Sequence, residues 1–60
     1  MQANPSRDNL KSLARESQSA VALAVLSELE AAEAVGHLVA AMRAETILAG
    51  TLGFFVDDDE

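Results

Sequence analysis

Glu30, Glu33 and His37 are the residues whose types and spacing come nearest to a chemical site in this chain. On a helix they fall at i, i+3 and i+7, so two carboxylates and one imidazole project from one face. Oxygen and nitrogen ligands of that kind suit zinc, iron or manganese, and a symmetric dimer would double the set. The spacing argues against it. Carboxylate-bridged bundles place Glu-x-x-His pairs on facing helices, with further glutamates aimed at the same point. Here the glutamates are three apart, the histidine lies four further on, and there is no second histidine. The expectation is therefore a solvated polar face with a Glu33–His37 hydrogen bond one turn apart, and no metal or other cofactor. A dimeric metal site on Glu30, Glu33 and His37 stands as a third functional reading.

Nucleophilic catalysis is equally poorly supplied. The chain has no cysteine, a single histidine, and serines concentrated in its first half at positions suited to caps and turns. Gly50-Thr51-Leu52-Gly53 lacks the lysine and the preceding strand of a phosphate-binding loop. A non-enzymatic protein is expected.

The elements that must position these side chains are helical. From Ser6 to Ala49 there is no proline and one glycine, Gly36, in a run rich in alanine, leucine, valine and glutamate. Drawn straight it would reach roughly 65 Å, so it must fold back or find a partner. Asn4-Pro5 predicts the first helix start, asparagine capping and proline at the first helical position. Leu10, Leu13 and Ala14 give that helix an apolar face, and Arg7, Lys11 and Arg15 a basic stripe. Glu16-Ser17-Gln18-Ser19 predicts a turn. Beyond it one long alanine-rich helix is expected, with rival breaks at the capping-box pattern beginning at Ser27 and at Gly36. A strand over Ala20 to Val25 is disfavoured, since a ribbon reading DNA would need polar or basic residues where this segment has alanines.

On that long helix Val21, Val25, Leu29, Ala32, Val35, Val39 and Met42 share one side, the spacing of a bundle seam and the expected self-association interface. Ala32, Gly36 and Ala40 add a small-residue row beside it. Leu10 and Leu13 are expected to cover Leu23 and Leu26. Gly50 is expected to end the helix in the left-handed conformation. Phe54, Phe55 and Val56 would then fold back on Leu48 and Leu52 or serve as a motif for a protein partner.

Together these features predict an all-α helical hairpin with one long helix, packing as a homodimeric bundle, with a helical domain over residues 1–53 and an apolar cluster and acidic tail over 54–60. A chain this short buries a marginal core, and without cysteine its reinforcement must come from association. Ten acids against four cations give a formal net charge of −6, and beyond Glu16 the only cation is Arg43. That field disfavours nucleic acid and anionic membranes as partners. No apolar run approaches a membrane span, which leads to a cytoplasmic expectation. The function expected is a small interaction module, that is, a regulator, adaptor or assembly subunit acting as a homodimer on a protein partner. The alternative is an acidic inhibitor or antitoxin-type protein that blocks a basic site.

Overall fold

Serine side chains set the first two helix starts in the computed structural model, which describes residues 5–54. Ser6, in extended conformation, accepts a hydrogen bond from the Asn9 amide at 3.2 Å and opens α1 (Arg7–Ser17). Asn4, the cap expected from the sequence, lies outside the described residues. Ser6 takes the role because its hydroxyl reaches an orphan amide of the first turn, with Asp8 adding a favourable negative charge there. The turn expected over residues 16–19 is present. Gln18 closes α1 in the left-handed region at φ 55°, and Ser19 caps α2 (Ala20–Ala34) by accepting from the Ala22 amide at 3.3 Å. The segment from Ala20 to Val25 is helical, and Ser27 lies inside α2.

The expected long helix does not form, because Gly36 interrupts it. Gly36 has φ +72°, its amide donates to the Glu33 carbonyl at 3.1 Å, and the His37 amide donates to the Ala32 carbonyl at 2.9 Å. Those two bonds are the signature of a helix closed by a left-handed glycine, which satisfies carbonyls that would otherwise be left without partners. His37 then starts α3 (Leu38–Thr51), its Nδ1 accepting from the Ala40 amide at 3.2 Å. A single residue thus completes one helix end and opens the next helix. α3 ends in the same way as α2. Gly53 has φ +94°, with the Phe54 amide on the Ala49 carbonyl at 2.8 Å and the Gly53 amide on the Gly50 carbonyl at 3.1 Å. Gly53, rather than Gly50, is therefore the left-handed residue, and α3 runs through Gly50.

Three helices in this order make an all-α up-down-up arrangement with a core of four leucines and five alanines. Each helix supplies one large, fully enclosed side chain, Leu10 from α1, Leu29 from α2 and Leu48 from α3. The remainder is small: Ala14, Ala22, Ala32, Ala41 and Ala44, with Leu26 at the edge. Alanines let the helices approach closely but remove little apolar area from water, so the core is compact and thin. Leu10 and Leu26 enter it as expected, whereas Leu23 stays 40% exposed. The side of α2 that enters the core is the one carrying Ala22, Leu26, Leu29 and Ala32, and Leu23 is not on it.

Candidate interaction surface

The Glu30, Glu33 and His37 set is dispersed by the fold. His37 has its Nδ1 engaged in capping α3 and does not bond to Glu33. Glu33 is instead half-buried between two cations of α1, accepting from Arg7 at 3.0 Å and from Lys11. Glu30 pairs with Arg15 at 2.8 Å on the exposed side. Among the described residues no three metal-ligating side chains converge. The polar face expected to be solvated is the face against which α1 is clamped.

The sequence alone does not pair these acids with the basic stripe of α1. Arg7 also donates through Nε and Nη2 to Glu45 of α3, at 3.0 and 2.9 Å, so one guanidinium ties α1 to both other helices. The signal was present in the spacing. Arg7, Lys11 and Arg15 recur one turn apart, and Glu30 and Glu33 offer acids at matching intervals on an antiparallel neighbour. Hydrogen bonds from Lys11, and then from Arg7, hold the Glu33 carboxyl below the ordinary glutamate range, and the Glu33 and Glu45 carboxylates raise Arg7 further above its already high value. Because the folded chain holds the Glu33 proton less readily than the unfolded chain, this contribution is complete above the ordinary glutamate pKa of about 4.3. It drains away as pH falls through the depressed value. We therefore expect thermal stability to drop in that acidic window, and less steeply in Glu33→Gln. Melting curves at stepped pH check this, and equal slopes for both chains would show that Glu33 carries no such linkage.

With three of the four cations committed to the clamp, the remaining surface is apolar where α3 faces outward. Ala41, Ala44 and Leu48 occupy the inner side of α3 at i, i+3 and i+7. Val39, Met42 and Thr46 repeat the same spacing on the outer side. Val39 is 56%, Met42 61% and Ile47 55% exposed, and together with Arg43 and Thr46 they line one open depression. A second depression shares Arg43 and Ile47 and continues over Ala40 and Ala44 to Glu28 of α2. The two form one continuous patch across the α2–α3 hairpin.

The break at Gly36 divides the seven-residue stripe read from the sequence. Leu29 and Ala32 are spent in the core, and Val25 packs half-buried against it. Val21, Val35, Val39 and Met42 remain exposed, Val35 at the end of α2 and Val39 and Met42 within the outward patch. Ile47 and Arg43 belong to that patch as well, Ile47 lying outside the stripe read from the sequence and Arg43 marked there only as the one cation beyond Glu16. On a continuous helix both would fall within the arc of the seam, at the angles of Val25 and Leu29, and the stripe read as far as Met42 stops short of them. Phe54 is 38% exposed and lines a groove with Leu13, Glu16, Ser17 and Leu52. Phe55 and Val56, the rest of the expected cluster, and the acidic residues 57–60 lie outside the described residues. No described helix is long and apolar enough to cross a membrane. No family model, curated protein or solved structure matches the chain.

Proposed function

We propose that this protein is a non-enzymatic helical interaction module that works as a homodimer through the outward side of α3. The observation that carries the reading is the exposure of Val39, Met42 and Ile47 on a helix whose opposite side is already buried. A helix apolar on both sides is ordinarily covered on both sides, and α1 and α2 cover only one. Contiguous apolar surface rimmed by polar residues marks a docking site on a small domain. A regulator, adaptor or assembly subunit needs no more than such a face held at a fixed angle. The clamp supplies that by locking α1 against α2 and α3.

Acidic blockade of a basic partner is the weaker reading. Glu30, Glu33 and Glu45 spend their charge on Arg15, Arg7 and Lys11 within the fold, so half of the helical acids are not displayed toward a partner. Met42→Asp tests the preferred reading. A carboxylate enclosed in a desolvated contact costs more than an unpaired neutral polar group, itself about 1–3 kcal/mol, while in the monomer it would sit in water at an exposed position. Sedimentation should show the wild type as a dimer and Met42→Asp as a monomer of unchanged helicity. A wild type that remains monomeric at high micromolar concentration overturns the proposal.

A further inference from the structure

We infer that the second copy docks across the α2–α3 groove with Arg43 of each chain paired to Glu28 of the other, an inference that rests on the homodimer reading above. Three features of the groove select this occupant. Arg43 is the one cation among the described residues that takes part in none of the ion pairs of the fold, and it borders the apolar side chains of both depressions. Glu28 borders the same patch from α2, exposed and likewise outside those pairs. Between them lie Ala40, Ala44 and Ile47, two small side chains and one large one.

A patch carrying one cation and one acid on two sides of an apolar centre is complementary to itself. In a two-fold contact the same surface is used twice, so if residue i meets residue j, j also meets i. Turning a copy about an axis near Ile47, the apolar side chain common to both depressions, brings its acid toward the other's cation and its cation toward the other's acid. Two ion pairs then form at the rim of one apolar contact. The overall charge of −6 per chain makes this pairing matter. Two such chains repel at a distance, and an attractive pair at the contact fixes which faces meet and in which register. A basic partner would find Arg43 in its way, and an acidic partner would meet Glu28 and the negative field of the whole chain.

The test uses reversed charges on separate chains. R43E alone places two acids opposite each other at both rim positions, and E28R alone places two cations there. Each variant should dimerise about tenfold more weakly than wild type, from two contacts turned from attraction to repulsion. Mixed in equal amounts, the two variants should form a mixed dimer in which both rim pairs are again opposite in sign. Its affinity should return to near the wild-type value, and native mass spectrometry distinguishes it from either self-dimer by mass. Circular dichroism of each variant confirms that the monomer folds, as expected for exposed residues outside the internal ion pairs. If the singles dimerise like wild type, or the mixture is no tighter than its components, the Arg43–Glu28 pairing is wrong even though the homodimer stands. If wild type and all variants are monomers, the homodimer reading fails with it.

Discussion

Leu29→Ala should cost about 2–5 kcal/mol and leave the chain largely unfolded at 25 °C. Leu29 is fully enclosed at the middle of α2, packed into the one cluster that all three helices share. Truncation removes its apolar transfer contribution and leaves a void, and neighbouring alanines have no side-chain reach with which to fill it. A core in a chain of this size rarely supplies more than about 3–5 kcal/mol in total, so the loss is comparable to everything the core provides. The comparison is Val35→Ala. Val35 is 78% exposed, so its truncation should change stability by no more than about 0.5 kcal/mol. Both are read by thermal circular dichroism at one protein concentration, because association shifts apparent stability. A Leu29→Ala chain melting within about 4 °C of wild type, the shift expected for 1 kcal/mol or less, would mean that the cluster is not what holds the fold.

The helical class, the first turn and the thinness of the core were all legible in the sequence, for physical reasons. Helix propensity accumulates over a long run, the Glu16-Ser17-Gln18-Ser19 interruption contains two residues that cap well, and a shortage of large side chains is visible in composition. The second turn was not decided. Val21, Val25, Leu29, Ala32, Val35, Val39 and Met42 keep helical phase straight through Gly36, so periodicity alone cannot distinguish a continuous seam from two helices folded together. The decision is a balance between the left-handed conformation that Gly36 adopts and the burial of Leu29 in the cluster that holds Leu48, two residues 19 positions apart in the chain. The same difficulty hid the role of the polar face. Glu30 and Glu33 look solvated until α1 is laid across them, and only the three-helix arrangement turns a basic stripe and an acidic one into a clamp.

The balance at Gly36 leads to the other large expected effect, that Gly36→Ala converts the hairpin into an exchanged dimer. In the hairpin this residue has φ +72°, a conformation that costs an alanine roughly 1–2 kcal/mol. An added Cβ meets nothing within 4 Å, so the whole penalty is in the backbone and repacking cannot relieve it. In a continuous helix the same substitution is favourable by about 1 kcal/mol. The preference therefore moves by about 2–3 kcal/mol toward the straight form, roughly 30- to 150-fold. A straight α2–α3 helix separates Leu29 from Leu48 by about 28 Å, so one copy can no longer bury them against each other. Two copies can, each lending its α3 to the other's core, a low-cost route to a dimer that hinge variants open. This dimer does not use the outward side of α3, and Met42→Asp should leave it intact. Sedimentation of the Gly36→Ala, Met42→Asp double variant should accordingly show a dimer where Met42→Asp alone is a monomer. A double variant that sediments as a monomer with a lowered melting temperature would show instead that the packing of α1, α2 and α3 outweighs the hinge, and that Gly36 only relieves strain within a hairpin already determined by its core.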